Sequence, residues 1–420
     1  MIGRARGTVV ATRGATLEAR VPAVRVGEGV SVGAAGGTLA ARVGAVNGDR
    51  VFLTAFAGLA GIAAGDPVAV DPAALTVPLG TGLLGRAIDA AGLPLDGGPP
   101  VRARRSRVEL ETAVPSQRRP CREACWTGVR ALDGPLAFAR GARVGVFGAP
   151  GAGKSTLLDA IVRHAEADAV VVALVGERGR EAERRIAACD ARTTIVCAAA
   201  DRPAAERVRA AEIAFVQAAA LRARGLHVLL VVDSLARVAA AAREIGLALG
   251  EPVGRGGYPA SAFALLARLL ETVGASAEGS VTAVVSVLCD GGDDRDPVSD
   301  AARSLLDGHL VLSEVVAQAG RFPALDIPRS ASRTLADAVP PSHLRAAALL
   351  RAAVAALDAS REARALGLDP SAGDPALARA VACEGEIERF LRQDGAPSPP
   401  ADTLRALLRL TEMLDDGRRR

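Results

Sequence analysis

The sequence predicts an α/β protein whose mostly parallel sheet is preceded by a small β-barrel and followed by a helical domain. From about residue 125 to 335, short apolar runs alternate with helix-length segments, as in a doubly wound α/β fold. Residues 1–75 instead contain short β-like runs separated by glycine turns, and residues 341–420 contain helix-length segments broken by Pro and Gly. We therefore expect domains at 1–75, 76–340 and 341–420.

Composition and net charge limit the classes of protein to which this chain can belong. Half of the 420 residues are apolar but only 2% are aromatic, so Ala, Val, Leu and Gly are expected to form the core. The net charge of +4 is too small to indicate a nucleic-acid or membrane partner by itself. We find no apolar run of membrane-spanning length and no signal-peptide region near the start. Six scattered cysteines predict reduced thiols, as in a cytoplasmic protein.

The amino-terminal barrel is predicted from short, regularly spaced β-like runs. These runs lie at residues 7–11, 16–21, 39–44, 50–54 and 67–70. A segment rich in Gly and Pro then predicts a structured connector over residues 76–125. Six arginines of this connector, at positions 102, 104, 105, 107, 118 and 119, are interpreted as a solvated surface strip rather than a binding patch.

The central sheet is predicted from six apolar runs of strand length, separated by helical segments such as 203–224 and 260–273. Ligands of such sheets bind beyond the carboxyl ends of the strands. The chain is then predicted to be helical to its end. The strand candidates are 144–147, 169–175, 193–197, 226–232, 281–288 and 310–312, and the final helices are 342–365, 375–392 and 401–414. An acidic loop at 290–297 lacks the ligand spacing of a calcium loop and is predicted to be a turn.

The strongest motif is a phosphate-binding loop of the form G-x-x-x-x-G-K-[ST]. It lies between an apolar run at 142–147, typical of a buried strand, and a helical run at 156–165. In this setting glycines let the backbone fold around phosphates, and amide groups at the helix start point at them. The candidate binding residues are Gly148, Ala149, Pro150, Gly151, Ala152, Gly153, Lys154, Ser155 and Thr156.

Lys154 is the only lysine of the chain, since the 51 basic residues are 50 arginines and Lys154. A compact ammonium fits a phosphate cradle that a wide, planar guanidinium cannot enter. This favours a functional loop over a chance glycine-rich turn. We expect Lys154 to reach the β- and γ-phosphates and the Ser155 hydroxyl to ligate Mg²⁺.

Carboxylates follow two of the predicted strands. Asp233 ends an apolar run in the Walker B form, where the acid holds the water shell of the magnesium ion opposite Ser155. Glu177 is a candidate to polarise the water that attacks ATP, and Glu181 is a candidate second carboxylate behind it, on the magnesium side. From spacing alone, the alternative for Glu177 is a helix start with Glu–Arg pairs within the helix.

Beyond these motifs, the sequence resembles the type III secretion and flagellar export ATPases, which are relatives of the rotary ATP synthase α and β subunits. The matching blocks run almost the whole length and several are near-verbatim. They are TGVRALDG (127–134), ARGARVGVFGAPGAGKSTLL (139–158), ALVGERGRE (173–181), VVDSLARVAAAAREIGLALGEP (231–252), GYPASAFALLARLLE (257–271), DPVSDAARSLLDGHLVLS (296–313) and FLRQ (390–393). The resemblance implies that the central domain is a RecA-like ATPase.

The resemblance also implies roles for individual residues. Glu177 matches the catalytic carboxylate, a position that is typically glutamine in noncatalytic α-type subunits, and Arg178 matches a residue near the phosphates. Arg333 matches an arginine finger that acts in trans on the γ-phosphate of the neighbouring subunit. Phe322 occupies the aromatic position expected to stack on adenine.

As a functional hypothesis, the resemblance implies an ATP- and Mg²⁺-dependent homohexameric motor of a type III protein export apparatus. The barrel would form the collar of the ring, and the carboxy-terminal helices would meet chaperone–substrate complexes. Stator-like and stalk proteins of the apparatus are implied as partners, with no nucleic acid. The implied location is cytoplasmic, with peripheral association at the inner membrane.

Three alternatives remain open at this point. The flagellar member of the family is one, although the short amino-terminal domain favours the injectisome member. A noncatalytic nucleotide-binding subunit of a rotary-type ATPase is the second. The third is a hexameric RNA translocase, which would read single strands with stacking aromatics. The first 75 residues contain only Phe52 and Phe56 as aromatics, which argues against the translocase.

Overall fold

The structure, a computed structural model, describes residues 6–14, 16–112, 116, 118–120, 122–288 and 296–415. Two of the six predicted thiols, Cys121 and Cys289, lie outside these residues, as do positions 290–295 of the acidic loop. Among the described cysteines, Cys125, Cys189, Cys197 and Cys383 are free thiols, as predicted. In the described part of the chain, no helix is both long enough and apolar enough to cross a bilayer.

Six antiparallel strands close the amino-terminal barrel in the order β1-β2-β5-β4-β3-β6. Their inward-facing valines and leucines form a core of their own. The strand β3 was missing from the sequence prediction, because its glycines and serine weaken the β-strand pattern, yet its Val30 and Val32 are fully buried. The strands are β1 (Arg6–Arg13), β2 (Thr16–Arg20), β3 (Gly29–Ala34), β4 (Gly37–Asn47), β5 (Arg50–Ala55) and β6 (Pro67–Val70).

The connector contributes three short strands, β7 (Thr76–Pro78), β8 (Arg86–Ile88) and β9 (Arg105–Arg107), and is followed by helix α1 (Arg130–Asp133). The strands β7 and β9 pair with each other, whereas β8 adds a strand to the edge of the central sheet. The connector is therefore partly built into that sheet.

The central sheet is parallel apart from two short antiparallel additions, which confirms the predicted fold class. Its order is β17-β16-β10-β15-β13-β11-β12-β8, and β14 pairs with β15. Residues of β11 alternate between the two faces, with Val170 and Val172 in one core and Val171 and Ala173 in the other. The strands are β10 (Arg143–Gly148), β11 (Ala169–Val175), β12 (Thr193–Ala198), β13 (His227–Asp233), β14 (Gly274–Ala275), β15 (Ser280–Leu288), β16 (Gly308–Val311) and β17 (Ala331–Ser332).

Helices cover both faces of this sheet. The long helix that follows β12 packs on one face with the helices after β13, and the helix after the phosphate-binding loop packs on the other. The helices are α2 (Lys154–His164), α3 (Gly179–Ala187), α4 (Ala204–Arg222), α5 (Leu235–Ala248), α6 (Ala260–Glu271), α7 (Pro297–Leu305), α8 (Glu314–Gln318) and α9 (Leu335–Ala338).

Four helices complete the chain and share a continuous apolar core with the α2 face of the sheet. They are α10 (Pro341–Ala365), α11 (Pro375–Ala382), α12 (Glu384–Leu391) and α13 (Pro400–Asp415). The single helix predicted at 375–392 is wrong, because Cys383, with φ of −98° and ψ of 6°, separates α11 from α12. The helices are also anchored by Arg130 of α1, which donates to the backbone oxygens of Phe390 and Arg392 at 3.1 and 2.5 Å.

The barrel is fixed to α4 by charged groups. Arg42 of β4 donates two hydrogen bonds to the Glu212 carboxylate, at 3.0 and 2.6 Å. Beside this pair, the guanidinium of the buried Arg209 lies 4.0 Å from the centre of the Phe56 ring, a cation–π contact. These contacts set the position of the barrel against the sheet domain.

Two adjacent leucines of α10 allow a matched test of the carboxy-terminal core. Leu350 is fully buried, whereas Leu349 is 37% exposed. We expect Leu350→Ala to lower the free energy of unfolding by about 2–5 kcal/mol, because it opens a cavity in a packed core. Leu349→Ala should change it by less than about 0.5 kcal/mol. Urea unfolding followed by circular dichroism measures both, and equal effects would contradict the described packing.

Candidate active site

The phosphate-binding loop joins the end of β10 to the start of α2. Its glycines are required at two points, because Gly151 and Gly153 have φ values of 85° and 92°, in the left-handed region. Gly153 immediately precedes α2, so the first amide groups of that helix are available at the loop. This is the strand–loop–helix setting that the motif predicted.

Lys154 lies folded over this loop. Its Nζ donates to the backbone oxygens of Gly148 and Ala149 at 2.7 and 2.6 Å. The single ammonium of the chain is thus held at the mouth of the loop, within reach of any phosphate bound there. Ser155 follows it in the first turn of α2 and is half-buried.

Glu177 and Asp233 lie at the carboxyl ends of adjacent parallel strands. Asp233 is the last residue of β13 and is in register with Leu174 of β11, three residues before Glu177. Both carboxylates are largely buried, with exposed fractions of 9% for Glu177 and 5% for Asp233. The structure therefore brings these two predicted residues to the same edge of the sheet as the phosphate-binding loop.

Both oxygens of the Asp233 carboxylate accept hydrogen bonds. The Ser286 hydroxyl donates to Oδ1 at 2.6 Å, and Arg185 Nη1 donates to Oδ2 at 2.8 Å. Neither partner was predicted from the sequence. A lone serine within the apolar run of β15 was a weak signal for Ser286, whereas Arg185 is one of several arginines in α3 and carried no signal.

Glu177 has a perturbed acidity. Burial raises its pKa to about 7, and the negative charge of Asp233 contributes to the increase. Arg237 of α5 opposes this shift, with its Nε 3.2 Å from Glu177 Oε1. Arg237 was also missed: α5 begins directly after Asp233 at this edge of the sheet, but the pairing of Arg237 with Glu177 arises only on folding. A carboxyl group poised near neutrality suits proton-coupled chemistry.

Arg178 directly follows Glu177 and precedes α3, and Glu181 lies in the first turn of that helix. Arg178 is exposed at the amino-terminal boundary of this helix. Glu181 is half-buried in the first turn, and its charge adds to the raised pKa of Glu177. Glu181 is therefore close enough to influence the charge state of Glu177, and Arg178 adjoins Glu177 in the chain.

Phe322 lies on the outer side of the phosphate-binding loop. Its ring is 46% exposed and, with Gly153, Thr156 and Gln393, borders a small cavity of about 80 Å³ against α2. The backbone N–H of Gln393 donates a hydrogen bond to the backbone oxygen of Phe322 at 2.9 Å. This fixes the aromatic residue to the carboxy-terminal segment, and Gln393 is a further lining residue whose role the sequence analysis did not assign.

Arg333 lies far from this edge in its own chain. It follows β17, which pairs with β16 through Ser332 and Gly308, and Gly308 is in register with Val144 at the start of β10. The phosphate-binding loop leaves the other end of β10, about 13 Å away along the strand. The Arg333 side chain is exposed, and its backbone amide donates to the oxygen of Asp307 at 2.8 Å. The structure thus separates Arg333 from the other predicted residues.

Ser155 and Asp233 could hold a magnesium ion. This ion keeps several waters and is usually bound by one or two protein oxygens together with substrate phosphates. In the described ranges, no group of three or more His, Cys, Asp or Glu side chains forms a dedicated metal cage. The donors present fit magnesium that arrives with a nucleotide.

Comparisons with known proteins agree with this geometry. Residues 128–332 match the ATP synthase alpha/beta family, nucleotide-binding domain. The chain is 40% identical to a type 3 secretion system ATPase of Pseudomonas savastanoi pv. phaseolicola, with 98% of this chain and 95% of that protein covered. It is also 40% identical to a flagellum-specific ATP synthase of Pseudomonas aeruginosa, covering 88% of this chain and 84% of that protein.

Solved structures extend the similarity to the fold. The assembled ATPase EscN of the enteropathogenic Escherichia coli type III secretion system is 35% identical and superimposes with a TM-score of 0.90, covering 96% of this chain and 99% of EscN. EscN in complex with its central stalk EscO superimposes with a TM-score of 0.87, at the same identity and coverage.

The acidity of Glu177 is directly measurable. We expect its carboxyl group to titrate with a pKa of about 7, and Arg237→Met to raise this pKa further because the ion pair favours the charged form. Isotope-edited infrared difference spectroscopy of the carboxyl stretch follows the titration, with Glu177→Gln identifying the band. An ordinary glutamate pKa, or no change in the Arg237 variant, would contradict the described environment.

Proposed function

Since this chain belongs to the family of type III secretion and flagellar export ATPases, and is an ATPase, we propose that it hydrolyses ATP to release chaperones from exported proteins and to energise their export. The observation that carries the catalytic part is the shared location of Lys154, Glu177 and Asp233 at one edge of the sheet. These groups supply the phosphate contact, the water-directing carboxylate and the acid near the metal that phosphoryl transfer requires.

In the proposed mechanism, the loop amides and Lys154 hold the β- and γ-phosphates of ATP. Magnesium, held by Ser155 and through water by Asp233, would neutralise charge on the phosphates. Glu177 orients the attacking water and polarises it in its carboxylate form. Because its pKa is raised to about 7, this form is present above neutral pH and is lost as the pH falls.

We assign Arg333 to the neighbouring subunit's site. Its exposure and its location at the opposite end of β10 support a role in trans, where it would stabilise negative charge on the transferring phosphoryl group. Such a role requires an oligomer, and similarity to assembled EscN supports a homohexamer. Arg178 is proposed to contact the phosphates, Glu181 to support the magnesium side, and Phe322 to stack on adenine.

The further partners follow from the family. The EscN–EscO complex supports a central stalk protein as a partner. Stator-like proteins, chaperone–substrate complexes at the carboxy-terminal helices, and a cytoplasmic location with peripheral inner-membrane association complete the proposal. Domains at 1–75, 76–340 and 341–420 would serve as collar, motor and docking unit.

The injectisome member of the family is our first choice, because a type 3 secretion relative is 40% identical over 98% of this chain, whereas a flagellar relative that covers 96% is 36% identical. The flagellar export ATPase is the second candidate, favoured by the 40% identity of another flagellar relative over 88% of this chain. A noncatalytic subunit is disfavoured because a glutamate occupies position 177.

Loss of either the ammonium or the carboxylate should abolish turnover. We expect Lys154→Ala and Glu177→Gln each to lower kcat by about a hundredfold or more, because each removes a group acting on the phosphates or the water. Glu177→Gln should still bind a fluorescent ATP analogue, whereas Lys154→Ala should not. Steady-state ATPase assays across concentrations that permit assembly provide the test, and a fully active Glu177 variant would refute the proposed role.

Mixing two inactive variants tests the proposed role of Arg333 in trans. Arg333→Ala keeps an intact loop but lacks the finger, and Lys154→Ala keeps the finger but lacks a working loop. Mixed rings should regain ATPase activity, because some intact loops then face an intact finger. A mixture of Lys154→Ala with Glu177→Gln is the matched control, since both defects lie in the same half of the site. Restoration in the control alone, or in neither mixture, would contradict the assignment.

A further inference from the structure

Arg185 connects three elements around the candidate metal site. From α3 its Nη1 donates to Asp233 Oδ2 on β13 at 2.8 Å, and its Nε lies 2.8 Å from Asp159 Oδ1 on α2. Its side chain is only 10% exposed, and that of Asp233 only 6%. The contact between Arg185 and Asp233 is therefore largely shielded from solvent, where opposite charges interact more strongly than at the surface.

The location of Asp159 makes this bridge functionally specific. Asp159 lies four residues after Ser155 on α2, so the two side chains share one face of the helix. Arg185 consequently ties the helix that carries Ser155 to the strand that carries Asp233. These are the two elements that would supply the protein oxygens for magnesium.

We propose that Arg185 is the resident counter-ion of Asp233 and that it lowers the affinity of the site for magnesium. This inference rests on the proposed metal-binding roles of Ser155 and Asp233. With Ser286 on Oδ1 and Arg185 on Oδ2, both oxygens of the acid are already hydrogen-bonded. A second lone pair on each oxygen can still accept a hydrogen bond from a metal-bound water, so Asp233 is proposed to act on the metal through water. Arg185 is then a positioning residue that acts through Asp233.

The sign of the effect follows from charge. Without Arg185, the buried Asp233 loses its cation and repels a nucleotide that arrives without metal. A divalent cation neutralises this negative charge, so nucleotide binding becomes more dependent on magnesium. A residue that only supported the fold would weaken binding equally with and without the metal.

The test compares binding of a fluorescent ADP analogue in magnesium and in EDTA. For Arg185→Met, the ratio of the Kd in EDTA to the Kd in magnesium should rise by about tenfold, the scale of a lost charge-assisted hydrogen bond. Arg184→Met is the matched control, because Arg184 is the exposed neighbour on the same helix, and its ratio should equal that of the wild type. Arg185→Lys keeps the charge and should restore most of the wild-type ratio.

A second variant is expected to change the ratio of the two Kd values in the opposite direction. This test does not require Arg185→Met to fold. Asp159→Asn removes one carboxylate from Arg185 and leaves its charge on Asp233, so the ratio should fall below the wild-type value. The side chain of Asp159 is 31% exposed, so its replacement by the isosteric amide leaves the core unchanged. A rise in this variant would overturn the proposal.

The outcomes separate this inference from the proposed function. The ratio of the Kd in EDTA to the Kd in magnesium could be the same in Arg185→Met and Arg184→Met while Lys154→Ala abolishes binding. That result would refute the counter-ion role of Arg185 and support the nucleotide site. If Lys154→Ala binds the analogue as the wild type does, the nucleotide site is wrong and the inference falls with it. A lower ratio in Arg185→Met, or Arg185→Lys behaving like Arg185→Met, also overturns the proposal.

Discussion

Two buried carboxylates on adjacent strands constrain the whole candidate site. Glu177 and Asp233 lie at the same edge of the sheet, where burial and the negative charge of Asp233 together raise the pKa of Glu177. Each carboxylate forms an ion pair with an arginine: Glu177 with Arg237, and Asp233 with Arg185. Arg185 lies on α3 and Arg237 on α5, so both helices must pack close to this edge of the sheet. The packing of these helices therefore also neutralises the charge of the two carboxylates.

The parts of this arrangement encoded by contiguous residues could be predicted from the sequence. The phosphate-binding loop, the strand ending in Asp233 and most elements of the parallel sheet need only local patterns of glycine and apolar residues. Arg185 and Ser286 could not be predicted, because their partner lies about fifty residues away and only folding brings them together. The strand β3 was missed for a different reason, since barrel closure rather than intrinsic preference makes its glycine-rich segment extended.

Arg333 and the phosphate-binding loop lie at opposite ends of the sheet. Within one chain, the carboxyl edge of the sheet collects the groups suited to bind a nucleotide, and the opposite end presents an exposed arginine. In the proposed ring, such a chain would carry half of each of two different sites. The proposed role in trans would explain why Arg333 lies away from the phosphate-binding loop of its own chain.

The strand β10 links the segment that positions Arg333 to the phosphate-binding loop. At its start, Arg143 pairs with Asp307 through Nε and Oδ2 at 3.1 Å, and the backbone of Asp307 holds the amide of Arg333. At its end, the same strand becomes the loop that carries Lys154. The six residues of β10 therefore connect the loop that carries Lys154 with the ion pair next to Arg333. In the proposed ring, the position of the loop in one subunit's own site and the position of the arginine that it offers to its neighbour would both depend on this one strand.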